Sequence, residues 1–499
     1  MADLKEWQVW LVTGSQHLYG SETLRIVREH AEIIAGSFSK NSQIPVQVIC
    51  KPVVTTPEEI LSVCEDANNQ SVCIGLITWM HTFSPGKMWI NGLKILNKPI
   101  LHLHTQFNRD IPWNEINMDF MNLNQSAHGD REFGFIMTRM RKRRKVVSGH
   151  WQDPNLIHQI ACWSRAAVGW NDWQGAKFLR IGDNMRQVSV TEGDKVEAEI
   201  KFGYSVNTHG IGDLVEFIHS ITIGDLNNLV DEYEQLYNVS ASLKKGNKKH
   251  EALRDAAKIE LGLKKMLTAG NFKGFTDTFE DLHGLKQLPG IAAQRLMQAG
   301  YGFAGEGDWK TAALVRVMKT MATGLPGGNS FMEDYTYHME SGNEMVLGAH
   351  MLEICPSISV EKPSCEIHPL GIGGKEDPVR LVFNGNAGPA LNVSIIDMGE
   401  RFRMLANSVV AVKAPNSILN LPVARTLWKP LPDFQSACTA WILAGGAHHT
   451  CFSQNLSIEC MEDFATMAGI EFVLIGKNTD IYQFKNELRW NDMYYKLNG

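Results

Sequence analysis

Apolar runs and amphipathic helical patterns alternate along the first third of the chain. The runs at residues 8–12, 46–49, 73–77 and 99–101 have the length of buried strands, and apolar residues with helical spacing follow each run. This alternation predicts βα units, which build an open parallel sheet. Ligands of such sheets bind beyond the carboxyl ends of the strands.

Uncharged polar and aromatic side chains occupy the predicted carboxyl ends of these strands. They lie at residues 16–18, 80–83 and 104–107. Groups of this kind suit sugar hydroxyls and the faces of sugar rings better than they suit phosphates. The glycine-containing segments 14–20 and 368–376 also lack the spacing of a dinucleotide-binding or P-loop motif. A small neutral ligand is therefore expected.

The pattern changes twice further along the chain. Helical patterns at 213–237 and 244–267 separate strand patterns near 178–185 and 274–279, which predicts a second α/β domain. A linker at 323–330 is followed by short β patterns with a single helix at 434–443. We predict two open parallel-sheet α/β domains, residues 1–174 and 175–325, and a mostly β domain, residues 326–499, which is a barrel or a sandwich.

Three ionisable residues fall where a core would place apolar side chains. Glu306 lies between two glycines at the entrance of a predicted helix. By strand alternation Glu333 shares the face of Tyr335, and His350 lies on the apolar face of a predicted strand at 346–354. A carboxylate without a partner is costly on such a face, so a shared cation is one explanation.

Each residue also has an ordinary structural explanation. A single histidine on an apolar face is more often a hydrogen-bonded core residue, and a glutamate at a helix entrance commonly compensates the helix dipole. Together with the pair His448 and His449, however, the set suits a divalent ion such as Mn²⁺ and leaves about two octahedral positions for substrate. In an extended segment only one of the paired histidines can face the ion.

Composition limits the possible partners. The chain has 499 residues and a net charge of −6, which favours neither nucleic acid nor an anionic membrane. A basic run at 139–145 fits a helix end and a subunit contact better than a nucleic-acid patch. Nine scattered cysteines without a CxxC pair, and no secretion or membrane-spanning pattern, predict reduced thiols and a cytoplasmic location.

A series of motifs across nearly the whole chain closely resembles the bacterial L-arabinose isomerase family. In order they are VTGSQHLYG, ITWMHTFSPGKMWI, HLHTQFNRDIPW, NLNQSAHGDREFGF, GEGDWKTAALVRVMK, NSFMEDYTYH, LGAHMLEICPS and GGAHHT. The resemblance implies an aldose–ketose isomerase that converts L-arabinose to L-ribulose and, more weakly, D-galactose to D-tagatose. It also implies one Mn²⁺ per subunit, with Co²⁺ as a possible substitute, and a homohexamer whose sites are shared between subunits.

The resemblance further implies roles for individual residues. The metal ligands are Glu306, Glu333, His350 and His449, and the two glutamates also move the proton. His128 reaches the pocket of a neighbouring subunit. Sugar contacts are implied for Gln16, Leu18, Phe83, Met185, Phe279 and Ile372. His448 has two candidate roles, a structural hydrogen bond or a contact that orients a metal ligand or a sugar hydroxyl, and we favour the second.

Isomerisation between C1 and C2 needs a base for a weakly acidic C–H group and an electrophile for the developing oxygen charge. Two glutamates can exchange the roles of acid and base, whereas a metal-assisted hydride shift needs no base. Two other functions stay open at this stage. One is isomerisation of a deoxy sugar such as L-fucose, and the other is sugar binding without turnover.

Overall fold

The computed structural model describes residues 3–415, 418 and 420–498. Within them, no helix combines the length and the apolar character needed to cross a membrane. The chain forms two compact units. Among the described residues, one contains 3–171 together with 459–469, and the other contains those of 172–458 and 470–498.

The N-terminal unit is built on a five-stranded parallel sheet with the order β2-β1-β3-β4-β5. Its strands are β1 (Gln8–Gly14), β2 (Gln47–Cys50), β3 (Cys73–Met80), β4 (Ile100–His104) and β5 (Lys145–Ser148). Its helices are α1 (Gly20–Lys40), α2 (Pro57–Asn69), α3 (Ile90–Ile95), α4 (Met118–Leu123), α5 (Ser126–Arg139) and α6 (Pro154–Trp173). Two apolar cores cover the two faces of the sheet, as the continuous apolar strands predict.

The second unit begins with a four-stranded parallel sheet with the order β10-β9-β6-β7. The first strands of this unit are β6 (Lys177–Ile181), β7 (Ser205–His209), β8 (Asn238–Val239), β9 (Gly274–Asp277) and β10 (Gly302–Ala304). The helices are α7 (Lys195–Phe202), α8 (Ile211–His219), α9 (Ile223–Leu236), α10 (His250–Gly270), α11 (Gly290–Gln298) and α12 (Trp309–Met321). This sheet confirms the predicted second α/β domain.

The C-terminal part of this unit is an antiparallel barrel. This confirms the prediction of a mostly β domain and shows that it is a barrel and not a sandwich. Its strand order is β15-β18-β11-β12-β17-β16, and the pairing of β16 with β15 closes the barrel. Strand β19 pairs in parallel with β16. Its strands are β11 (Asn329–His338), β12 (Met345–Ala349), β15 (Gly388–Asp397), β16 (Phe402–Val412), β17 (Arg425–Pro430), β18 (His449–Ser453) and β19 (Glu471–Ile475). Strands β13 (Ser364–Ile367) and β14 (Val379–Val382) join β8 in a small separate sheet.

Some predicted helices differ from the structure. The predicted helix at 213–237 is broken between α8 and α9, because the Thr222 side chain accepts a hydrogen bond from the Asp225 backbone N–H and caps α9. By contrast, the lysine-rich residues 244–249 form a connector, as their composition predicts, and α10 begins at His250. The prediction of one helix after the linker is wrong, since α13 (Phe434–Leu443), α14 (Ile458–Ala468) and α15 (Ile481–Asn498) are all present.

The basic run after α5 contacts backbone carbonyls of its own unit. Arg144 donates a hydrogen bond to the Gly134 carbonyl, and Lys142 donates one to the Leu96 carbonyl. Lys145, at the start of β5, binds carboxylates of α14. A role for this run in subunit contact stays a prediction.

Candidate active site

Glu306 is held in the turn between β10 and α12 in a backbone conformation that few non-glycine residues adopt. Its φ is +61°, and its carbonyl accepts a hydrogen bond from the Met185 backbone N–H at 3.0 Å. The next residue, Gly307, has a φ of +76°, and a Cβ there would lie 2.5 Å from the Asn184 Cα. The turn is therefore tightly fixed, as strained residues at functional sites often are.

The barrel brings the other acidic and imidazole groups together through strand register. Glu333 on β11 lies opposite His449 on β18 and opposite Ala349 on β12. His350 directly follows Ala349, so the register places His350 and His449 on the two strands that pair with β11 at Glu333. The predicted strand at 346–354 is wrong in its length, because β12 ends at Ala349 and His350 lies just beyond it.

The predicted alternation along β11 fails after Glu333. A bulge lies between Asp334 and Thr336, and Tyr335 and Tyr337 are 47% and 44% exposed instead of buried. Thr336 and His338 are exposed too, so this end of β11 has no buried face, and Tyr335 lines the same cavity as Glu333.

Potential ligand atoms converge at this place. His449 Nε2 lies 3.8 Å from Glu306 Oε2, and His350 Nε2 lies 3.9 Å from Glu333 Oε2. One ligand atom from each of Glu306, His350 and His449 falls within 4.8 Å of the others. Gly305 allows this approach, since a Cβ there would lie 3.2 Å from the His350 ring.

A carboxylate is paired with the Nδ1 atom of each of the two imidazoles, His449 and His350. His449 Nδ1 lies 3.1 Å from Asp308 Oδ2, and His350 Nδ1 is hydrogen-bonded to Glu353 Oε2. The buried His449 Nε2 has no hydrogen-bond partner among the described atoms. Carboxylate–histidine pairs with an open Nε2 are typical of metal-binding histidines, so these residues fit a divalent cation.

The electrostatics of the cluster also favour a cation. Burial by itself would raise the pKa of Glu306, but His448, His449 and His350 lower it below its ordinary value. Burial would lower the pKa of His350, yet Glu353, with Glu333 and Glu306, raises it to about 9. The acidic groups therefore create a negative potential at the point where the imidazole nitrogens meet.

The cluster borders a cavity of about 160 Å³. Phe279 and Ile372, for which the sequence predicted sugar contacts, line this cavity, and the backbone of Met185 contacts Glu306 beside it. The sequence did not single out Asp277, Leu288, Tyr335 or Glu353, which also line it. Burial and the nearby Glu353 raise the pKa of Asp277 to about 7.

His448 and His449 are not separated as strand alternation predicts. Their ring centroids are 4.3 Å apart, and His448 Nε2 also lies 3.4 Å from Glu306 Oε2. The alternation argument is wrong here because β18 begins at His449 and His448 lies in the preceding bend. His449 is fully buried, whereas the side chain of His448 is about one third exposed.

Four predicted sugar contacts belong to the N-terminal unit. Phe83 and His128 have ring centroids 5.1 Å apart, Gln16 precedes a short 3-10 helix, and Leu18 within that helix is 82% exposed. Their contact with a sugar stays a prediction.

Comparison with known proteins identifies the family. Sequence models of the L-arabinose isomerase N-terminal, central and C-terminal domains match residues 3–175, 177–324 and 328–471. The chain belongs to the L-arabinose isomerase family. The L-arabinose isomerase of Herpetosiphon aurantiacus is 60% identical over 497 residues, which cover 100% of this chain and 99% of the relative. That of Geobacillus stearothermophilus is 59% identical over 496 residues, which cover 99% of this chain and 100% of the relative.

One solved structure to which the chain is similar shares far less of its sequence. A periplasmic solute-binding protein from Actinobacillus succinogenes with bound D-allose shares 10% identity with a TM-score of 0.16, over 63% of this chain and 91% of that protein. That similarity carries no inference about the site.

Proposed function

We propose that this protein is an aldose–ketose isomerase that converts L-arabinose to L-ribulose. Relatives that are 59–60% identical over essentially the whole chain are L-arabinose isomerases. The observation that carries the proposal is the convergence of Glu306, Glu333 and His350 on one cavity, beside the buried His449. Two carboxylates next to imidazoles with free Nε2 atoms suit proton transfer at a polarised carbonyl.

The proposed cofactor is one Mn²⁺ per subunit, held by Glu306, Glu333, His350 and His449. Co²⁺ is a possible substitute, since mixed carboxylate and imidazole sites accept both ions. When bound, the ion supplies electrophilic stabilisation of the negative charge that develops on the sugar oxygens. Asp308 and Glu353 hold Nδ1 of the two histidines, which leaves Nε2 of each ring for the ion.

Glu306 and Glu333 are the proposed acid and base. The reaction moves one proton from C2 to C1 and one hydroxyl proton from O2 to O1, so no oxidant or reductant is consumed. One carboxylate accepts the C2 proton and returns it to C1, while the other serves the hydroxyl groups. Incorporation of solvent deuterium into the ketose supports this route, and its absence supports a hydride shift.

The remaining parts of the proposal concern substrate range and assembly. We propose weaker conversion of D-galactose to D-tagatose, a cytoplasmic location and a homohexamer. In that hexamer, His128 of one subunit completes the pocket of another. Phe279 and Ile372 on the cavity wall, with Met185 beside Glu306, contact the sugar of their own subunit.

The decisive experiment is a ketose assay on metal-stripped protein before and after Mn²⁺ is restored. A panel of L-arabinose, D-galactose and L-fucose is tested in parallel. Restored turnover with preference for L-arabinose supports the proposal. Preference for L-fucose favours the deoxy-sugar isomerase, and sugar binding without turnover favours a binding protein.

A further inference from the structure

A second cluster of potential metal ligands lies in the N-terminal unit. His158 and Cys162 are one turn apart on α6, and Glu459 lies at the start of α14. His158 Nε2 is 3.7 Å from Cys162 Sγ and 3.8 Å from Glu459 Oε2. One ligand atom of each residue lies within 4.8 Å of the others. The proposed isomerisation uses none of these three residues.

These separations are close to those around a tetrahedral zinc ion. Ligand bonds of about 2.0–2.3 Å at tetrahedral angles place nitrogen and sulfur roughly 3.6 Å apart, and nitrogen and oxygen roughly 3.4 Å apart. The side chain of His158 is 54% exposed, so it can rotate to close the small difference. The i, i+4 spacing on a helix places both ligands on one face, as in helical zinc sites.

The charges around the cluster are arranged for a cation that binds a thiolate. Lys145 Nζ binds Glu459 Oε1 at 2.6 Å and Asp463 Oδ2 at 2.6 Å, which orients the Glu459 carboxylate. Arg165 lies close enough to Cys162 for their charges to interact. Lys145 already offsets part of the charge of these two carboxylates, so a bound ion has mainly to stabilise the Cys162 thiolate.

We propose that His158, Cys162 and Glu459 form a second metal site, for a borderline-soft divalent ion such as Zn²⁺. Solvent provides the fourth ligand at the exposed side. Binding releases the thiol proton of Cys162 to water, and no other bond is broken. Thiolate and imidazole ligands favour Zn²⁺ or Co²⁺ over Mn²⁺, so the two clusters differ in their preferred ion. Because Glu459 lies far along the chain from His158, the ion joins α14 to α6 and stabilises the unit.

Cobalt is the probe that separates the two sites. Full-length protein is stripped of metal, kept reduced without a thiol reagent, and titrated with Co²⁺. A thiolate ligand gives an intense sulfur-to-cobalt charge-transfer absorption, which the sulfur-free active-site cluster cannot give. We expect this band in the wild type, its displacement by Zn²⁺, and its loss in Cys162→Ser. We expect His158→Asn and Glu459→Gln each to weaken the binding that produces the band by more than about tenfold.

Two matched variants serve as controls. Cys50→Ser removes another cysteine of the same unit, and Glu462→Gln removes an exposed carboxylate from the next turn of α14. Both are expected to keep the wild-type band. Persistence of the band in Cys162→Ser, or wild-type binding in His158→Asn and Glu459→Gln, overturns the proposal. Because His158 is exposed, its variant gives a valid test even if the change at the buried Cys162 disturbs folding.

Discussion

The fully buried imidazole of His449 binds the buried carboxylate of Asp308, with 3.1 Å between Nδ1 and Oδ2. The Lys310 ammonium lies 3.4 Å from the other oxygen of Asp308. Although burial opposes ionisation, Lys310 and His449 hold the pKa of Asp308 well below its usual range. The carboxylate is therefore charged and fixes the Nδ1–H tautomer of His449.

We predict that Asp308→Asn weakens Mn²⁺ binding about 10–100-fold, or about 1.4–2.7 kcal/mol, because His449 loses the negative partner that orients it and makes it more basic. Calorimetric titration with Mn²⁺ measures the change. Asp213→Asn is the matched control, because Asp213 binds His209 at 2.8 Å but on the exposed surface. Equal Mn²⁺ affinity of Asp308→Asn and wild type contradicts the role given to Asp308.

Glu306→Gln and Glu333→Gln are each expected to abolish isomerisation while the fold is kept, since an amide provides neither metal charge nor proton transfer. Initial rates of ketose formation and far-ultraviolet circular dichroism measure the two effects. Glu340→Gln, a change at an exposed carboxylate, is expected to retain activity. Turnover within about tenfold of wild type in either active-site variant, a barrier change of only ~1.4 kcal/mol, is incompatible with the assignment.

The two neighbouring histidines are expected to differ in their effects. His449→Asn should lose tight Mn²⁺ binding and activity together, because the buried Nε2 is a proposed ligand. His448→Asn should keep measurable binding with reduced turnover, because His448 contacts Glu306 from the exposed side. Calorimetry and kinetics on both variants test this, and the reverse result would move the ligand role to His448.

The shared-site hypothesis predicts complementation between inactive variants. His128→Ala and Glu306→Gln affect residues of different compact units, so a mixed assembly can contain some sites with neither change. We expect co-refolded mixtures to recover part of the wild-type activity, while each variant alone stays inactive. Mixtures that form hybrid assemblies but remain inactive would show that each subunit builds its own site.

The N-terminal unit is expected to lose stability in mild acid. Burial lowers the pKa of His81 to about 3, with a contribution from His30, whose ring nitrogen is 2.7 Å away. In the unfolded chain His81 titrates near its ordinary value of 6.5. Below that pH the unfolded state binds more protons, so stability falls by up to about 1.4 kcal/mol per pH unit as pH decreases toward 3.

Thermal unfolding between pH 7 and pH 5 measures this dependence. His81→Gln should reduce the pH slope, whereas His219→Gln, which changes an exposed histidine, should leave it unchanged. An identical slope in His81→Gln and wild type contradicts the prediction.

The order of strands and helices followed from the sequence because apolar spacing reports burial directly. The parallel sheets and the mostly β class of the C-terminal part needed little more than this periodicity and turn signals, whereas the choice of a barrel depended on the pairing of β15 with β16. The register that sets Glu333 opposite His449 could not be obtained in the same way, because pairing between β11 and β18 depends on contacts over more than a hundred residues. The bulge after Glu333 likewise has no local signal.

Asp308 and Glu353 show why part of the site was missed. Asp308 is the N-cap of α12, and its side chain accepts a hydrogen bond from the Thr311 backbone N–H, so in the sequence it resembles an ordinary helix cap. Glu353 lies three residues after His350 in a loop, where a charged residue is unremarkable. Their contacts with His449 and His350 appear only once the chain is folded.

The presence of residues 459–469 in the N-terminal unit affects when this unit can complete its folding during synthesis. Lys145 and its partner Glu459 are 314 positions apart, so all the residues between them are synthesised before this contact can form. Met467 of the same segment packs against the core beside the N-terminal sheet. The N-terminal sheet therefore lacks this covering segment while the intervening residues are synthesised, and its core is completed only afterwards.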